Sequence, residues 1–167
     1  SSLKKLIIPY PGAENLVNSP SALYVWTVTN TITNTAKVRV MDENDNSNWN
    51  ESANTFRIRA GIEVTQPNGN VNPALTEKWL VGSTQTIKWT ITGTMSLVKL
   101  GYTVNSGADQ FIADDVNAGD GVAGVPWLIP DAIDSRVRVK VINKADITVL
   151  DTSNFDFYIQ GQLDFNP

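Results

Sequence analysis

The stretch DENDNSN, residues 42–48, crowds carboxylate and amide oxygens into a short run. Such a run can hold a hard cation, because Ca²⁺ takes about six to eight oxygen ligands at roughly 2.3–2.6 Å. Asp42, Asn44 and Asp45 would supply most of the protein ligands of a calcium site there. A second reading needs no ion. Asn and Asp accept left-handed turn conformations, so the same run suits a polar hairpin loop. ADDVNAGDG, residues 113–121, poses the same choice. Within it, Asp114 and Asp115 form a carboxylate pair of the residue type that acid–base chemistry uses. Neighbours on a strand point to opposite faces, and this stretch reads as a loop, so the pair is expected to be solvated.

The chain has no His and no Cys. That removes Ser-His-Asp triads, imidazole metal sites, disulfides and thiol chemistry. No GxSxG and no P-loop occur. The expectation is a protein that is not an enzyme, with no cofactor beyond the candidate calcium. Apolar residues make up 41% and charged residues 18%, so the chain should bury a core. A net charge of −4 argues against nucleic acid or an anionic membrane as partner. No apolar run reaches the length of a membrane span, so no membrane insertion is expected.

Five Trp residues raise the question of sugar stacking. Trp26, Trp89 and Trp127 fit a core, and Trp79 fits a core or a sheet edge. Trp49, inside the polar SNWNES, is the one expected to be exposed, which makes a poor platform for a glycan. The single N-x-S/T sequon is NES at 50–52, and the Thr-rich TVTNTITNT could carry O-glycans or simply suit an exposed strand.

The elements that position these residues are read as β throughout. TQTIKWTI alternates Ile87, Trp89 and Ile91 with polar neighbours, and RVRVKV alternates Val137, Val139 and Val141 with Arg136, Arg138 and Lys140. Period-2 alternation buries one face of a strand and leaves the other in water. SLVKLGYTV, GVPWLIP and NFDFYI also read as strands, between the turn-rich QPNGNVNP, TGT, NSGAD, NAGDG and PDAID. Short strands at this spacing suggest a β-sandwich.

A repeat runs through them. Trp26 and Trp127 stand 101 apart, and the same offset relates Ile32 to Ile133, Val38 to Val139, Val40 to Val141, Ser52 to Ser153, Phe56 to Phe157 and Ile58 to Ile159. Conservation of apolar strand positions at a fixed offset is the mark of a repeated fold. Upstream, SLKKL at 2–6 resembles SLVKL at 96–100, and GAENLV at 12–17 resembles GADQFI at 107–112. Residues 61–160 are expected to form a complete copy and residues 1–60 the C-terminal part of another. GQLDFNP, 161–167, echoes AGIEVTQP as the start of a following copy or a linker. The chain has no initiating Met, and SSLKKLIIPY lacks a signal-peptide core, so it reads as a piece of a larger protein. Residues 1–60 are expected to be completed from outside.

VTQPNG, W..GSTQTIKW, V.L.Y, PWLIP, RVRVKV and DTSNFDFYI together resemble the immunoglobulin-like domain of the Ser-Thr-rich GPI-anchored membrane family, which includes fungal cell-wall synthesis proteins. Related units occur in tandem in large bacterial surface proteins. The likeness covers 61–160 and, in part, 2–60. The first copy departs from it, with VWTVTN in place of PWLIPD. DENDN also resembles the DxNDN element of cadherin linkers, though here it stands between the last two strands of a unit. The family resemblance implies an all-β protein of immunoglobulin-like β-sandwich repeats, one complete and one truncated, outside the cell at its surface or wall. It implies a structural repeat of an S-layer-like protein, with other copies or neighbouring repeats as partners. The alternative is an adhesin or an accessory module that binds cell-wall glycans. The resemblance brings no catalytic residues with it.

Overall fold

Ile87 and Trp89 face inward from one strand, and Val137, Val139 and Val141 face inward from another; all five are buried in one cluster. The alternation read in the sequence therefore has its physical counterpart in a computed structural model. That structure describes residues 26–42 and 45–163, together with the backbone of Leu3–Lys4. The protein is all-β and divides into two units, residues 1–59 and 60–167.

Among the described residues the second unit has two sheets. One comprises β6 (Gly61–Gln66), β8 (Thr84–Thr92) and β11 (Val125–Leu128), in the order β11-β8-β6. The other runs β10-β9-β12-β14-β7, from β7 (Lys78–Leu80), β9 (Leu97–Val104), β10 (Gln110–Asn117), β12 (Asp134–Asn143) and β14 (Phe157–Gln160); β13 (Leu150–Thr152) also pairs with β12. Val64, Ile87, Trp89 and Trp127 of the first sheet share their core with Val98, Leu100, Val137, Val139, Val141, Phe157, Ile159 and Trp79 of the second. The outward cations of β12 are paired: Arg138 Nε donates to Asp156 at 2.6 Å and Lys140 Nζ to Asp109 at 2.6 Å. β7 and β14 run parallel, with Ile159 opposite Trp79. The turns follow their residues. NSGAD reverses β9 into β10 through Asn105 and Ser106, both with positive φ, which Asn tolerates best among residues carrying a side chain.

One expectation is corrected here. Residues 113–117 belong to β10 and not to a loop. Periodicity did not mark the strand because β10 carries two register shifts against β9, between Phe111 and Ala113 and between Ala113 and Val116. Asp115 takes a φ of 52°, so it does not alternate with Asp114 as in a regular strand. Both carboxylates reach Lys144 Nζ.

The first unit contains β1 (Leu3–Lys4), β3 (Arg39–Asp42) and β4 (Trp49–Glu51) in one sheet, and β2 (Thr33–Ala36) with β5 (Phe56–Ile58) in another. Its pairings reproduce those of the second unit at an offset of 101. Arg39, Val40 and Met41 pair with Glu51, Asn50 and Trp49, as Lys140, Val141 and Ile142 pair with Thr152, Asp151 and Leu150. Thr33 and Ala36 pair with Ile58 and Phe56, as Asp134 and Val137 pair with Ile159 and Phe157, with the same irregularity between them. Leu3 faces Asp42 where Val98 faces Asn143, an offset of 95 rather than the 94 that aligns SLKKL with SLVKL. The match of GAENLV, 12–17, lies outside the described residues, as do residues 164–167 of the tail.

Candidate functional site

The acidic run closes the β3–β4 hairpin. Asp42 is the last residue of β3 and is buried, and its N–H donates to the Asn48 carbonyl at 2.9 Å. Asp45 is exposed at the turn. Its Oδ1 accepts the Ser47 N–H at 3.0 Å and the Ser47 hydroxyl at 2.5 Å, and its carbonyl accepts the Asn48 N–H at 2.9 Å. Asn44, the third candidate ligand, lies outside the described residues. The turn recurs in the second unit. Asp146 Oδ1 accepts the Thr148 N–H at 3.1 Å and its hydroxyl at 2.5 Å, and the Asn143 N–H donates to the Val149 carbonyl at 2.9 Å. Asp45 and Asp146 thus share one local job, turning the chain by a side-chain–backbone hydrogen bond. Among the described residues no three His, Cys, Asp or Glu side chains are grouped to hold a metal ion.

These bonds set the electrostatics of the hairpin. The Ser47 hydroxyl, and after it the Ser47 N–H, hold the Asp45 carboxyl below its ordinary 3.8. Lys37 does the same for Glu51, whose ordinary value is 4.5, with Arg39 assisting. A carboxyl with a lowered folded pKa contributes stability above its unfolded value and loses it as pH falls through the folded one. Ser47→Ala is therefore expected to move the Asp45 titration up towards 3.8 and leave Glu51 unchanged, as read by carboxyl NMR. An unmoved Asp45 would mean that the hydroxyl bond does not form in solution.

Trp49 is exposed, as its polar setting suggests, at 48%; Leu150 at the equivalent position is exposed at 47%. The Arg39 guanidinium lies 4.3 Å from the centre of the Trp49 ring. One ring face is therefore already covered by a cation, an arrangement attractive in itself. The other tryptophans pack. Trp89 is buried, and its Nε1 donates to the Ala118 carbonyl at 3.0 Å. Trp79 is both core and edge: it sits on the terminal strand β7 yet is buried against Phe157, with ring centroids 4.9 Å apart. Trp127 meets Phe157 edge-on at 6.4 Å and 80°, and Trp26 meets Phe56 at 6.2 Å and 79°. Trp26 departs from the core expectation, because it is only half-buried.

The most connected polar group in the second unit is Ser153. Its hydroxyl donates to the Pro67 carbonyl at 2.7 Å and accepts the Val139 N–H at 3.1 Å, while its own N–H donates to the Val139 carbonyl at 2.9 Å. Beside it, Asp151 Oδ2 accepts the Val64 N–H at 2.7 Å. The two residues tie the first strand of the unit to the β12–β13 corner. The recurrence of Ser at 52 and 153 signalled this node in the sequence; nothing signalled Asp151, whose counterpart is Asn50. Ser52 repeats the half that can be repeated: its N–H donates to the Val38 carbonyl at 2.8 Å, and its hydroxyl accepts the Val38 N–H at 3.3 Å. Ser153→Ala strands a buried donor and a buried acceptor, and is expected to cost about 2 kcal/mol or more. Ser52→Ala, at a half-buried position, should cost less than about 1 kcal/mol. Denaturant titration of the two variants checks the contrast, and equal losses would refute it.

No family model, curated protein or solved structure matches the chain. The site therefore speaks through its own geometry. That geometry consists of turn-forming carboxylates, paired surface charges and aromatic packing. Asp114 and Asp115, the remaining carboxylate pair, are occupied by Lys144, which holds Asp114 below 3.8 and is itself raised above 10.5. Among the described residues no helix is long and apolar enough to cross a membrane.

Proposed function

We propose that the chain is part of a tandem array of immunoglobulin-like β-sandwiches, and that its role is structural: a repeat of a large extracellular protein of the cell surface or S-layer type. One observation carries this reading, the recurrence of strand register 101 residues apart, down to the same irregularity in β2–β5 and β12–β14. Two unrelated segments would share apolar spacing by chance more readily than they would share pairing, turn and ring geometry. Separate sheets enclosing one core, with a parallel pairing of an early strand to the last, support the sandwich assignment. The hydrogen-bonded residues that recur, Asp45 with Asp146 and Ser52 with Ser153, serve the backbone. Repeated maintenance of scaffold contacts fits a spacer or lattice unit. Its partners are then neighbouring repeats or other copies of the protein.

A glycan array that includes cell-wall polysaccharides, probed with the whole chain, is the test. No binding above background is expected. Binding that Trp49→Ala abolishes would replace the structural role by that of a glycan-binding module.

A further inference from the structure

We infer that Asn68 is a site of spontaneous covalent modification that the fold holds shut. It converts to isoaspartate when the loop after β6 opens, and the converted loop does not close again. The inference goes beyond the structural role proposed above and does not depend on it.

The chemistry comes from the residue types. Asn68 and Gly69 form the one Asn-Gly pair in the chain. With no Cβ, glycine leaves its own peptide nitrogen unhindered and its backbone free to turn. That nitrogen attacks Cγ of the asparagine. A bond forms between Gly69 N and Asn68 Cγ, and the bond from Cγ to Nδ2 breaks. The proton of the Gly69 N–H leaves with the side-chain nitrogen as ammonia. Water then opens the cyclic imide. Cleavage at Cγ leaves aspartate at position 68. Cleavage at the main-chain carbonyl leaves isoaspartate, in which the chain runs on through Cβ and Cγ and the former carbonyl becomes a carboxylate branch. Water is the only co-reactant.

The fold opposes the first step. Asn68 is half-buried, and hydrogen bonds hold it on both sides of its Cα. Its Oδ1 accepts the Asn154 N–H at 2.6 Å, its carbonyl accepts the Phe155 N–H at 3.0 Å, and its own N–H donates to Glu77 Oε1 at 3.0 Å. The imide ring takes the Cα–carbonyl bond into itself and turns it outside the broad α and β regions. Asn68 therefore has to leave these bonds before the ring can form. Beyond Gly69, the Asn70 N–H donates to the Thr76 hydroxyl at 2.8 Å, and that hydroxyl donates to the Asp156 carbonyl at 3.0 Å. The loop is thus tied to the β13–β14 corner on either side of the reactive pair, and opens as one piece.

The fold also rejects the product. Isoaspartate moves the carbonyl that accepts the Phe155 N–H onto a branch and lengthens the main chain by a carbon atom. There is no room for it: a Cβ on Gly69 would already stand 2.5 Å from the Phe155 carbonyl carbon and oxygen and 2.6 Å from the Asp156 oxygen. Aspartate keeps both the main chain and the acceptor oxygen, so that product remains compatible with the loop.

The test holds the whole chain at mildly alkaline pH, folded in buffer and unfolded in guanidinium, and quantifies isoaspartate at position 68 by peptide mapping with an isoaspartyl methyltransferase label. Conversion should be slower in the folded chain by about tenfold or more, because the population of the opened loop sets the rate. Asn105, followed by Ser106 in the exposed turn after β9, is the internal reference and should be slowed less. Chain converted in guanidinium and returned to buffer should not regain exchange protection at Asn154 and Phe155, whereas the Asn68→Asp chain should regain it. Equal rates at Asn68 in the two states, or equal slowing at Asn68 and Asn105, overturn the shielding. Recovery of protection by the isoaspartyl chain overturns the claim that the loop cannot close again.

Discussion

Phe157→Ala is expected to remove about 3–5 kcal/mol from the stability of residues 60–167, while Phe56→Ala should cost less than half as much. Phe157 is 0% exposed and lies between Trp79 and Trp127. Truncating a fully enclosed phenylalanine forfeits its transfer free energy and leaves a cavity that its neighbours fill only in part. Here those neighbours are two indoles held from separate sheets, so collapse around the gap is restricted. For a unit of this size the loss should lower the melting temperature by about 15–30 °C. Phe56 has the same partner in Trp26, at nearly the same distance and angle. It is half-buried, so less apolar surface returns to water when it is removed. Denaturant titration, with near-ultraviolet and exchange probes assigned to each unit, measures both costs. Equal losses would mean that Phe56 is as enclosed as Phe157.

Gly69→Ala is the second large effect, expected at about 2–5 kcal/mol. Two causes add. Gly69 has a φ of +62°, a conformation that costs a residue with a Cβ about 1–2 kcal/mol. A Cβ there would also stand 2.5 Å from the carbonyl carbon and oxygen of Phe155 and 2.6 Å from the Asp156 oxygen. These are backbone atoms, which no rotamer change can move aside, and overpacking of this kind costs about 1–3 kcal/mol. The position matters because the loop after β6 is stitched to the β13–β14 corner on either side of it. The Asn154 N–H donates to Asn68 Oδ1 at 2.6 Å, the Phe155 N–H to the Asn68 carbonyl at 3.0 Å, and the Thr76 hydroxyl to the Asp156 carbonyl at 3.0 Å. Exchange at Asn154 and Phe155 should quicken together with the global loss. Gly82→Ala is the control: its φ is +77°, but nothing lies within 4 Å of its Cβ position, so only the conformational cost should appear. Similar losses for both variants would mean that the close approach at Gly69 contributes nothing.

Together these variants test whether the two units differ in enclosure and not in local design. The hairpins of both units use the same Asp–hydroxyl turn and the same strand register. In the second unit β8 and β6 lie across the core from β12 and β14, and β7 extends the sheet beside β14.

Residue order by itself determined the β class, the inward faces of β8 and β12, and the 101-residue recurrence, because each is a local pattern. Alternation of Val137, Val139 and Val141 with cations leaves one register in which the apolar side is dry. A fixed offset between apolar positions survives any arrangement of the strands. Three things were decided only by tertiary structure. β10 is a strand because it pairs with β9 despite two bulges, and Asp115 joins Asp114 on Lys144 because a bulge breaks alternation. Trp79 is core because the parallel pairing of β7 with β14 carries it inward, a contact between residues eighty positions apart in sequence. Trp26 and Phe56 stay half-exposed although their spacing and ring geometry equal those of Trp127 and Phe157. Burial is a property of what lies opposite a side chain, and a residue's own sequence neighbourhood does not contain that information.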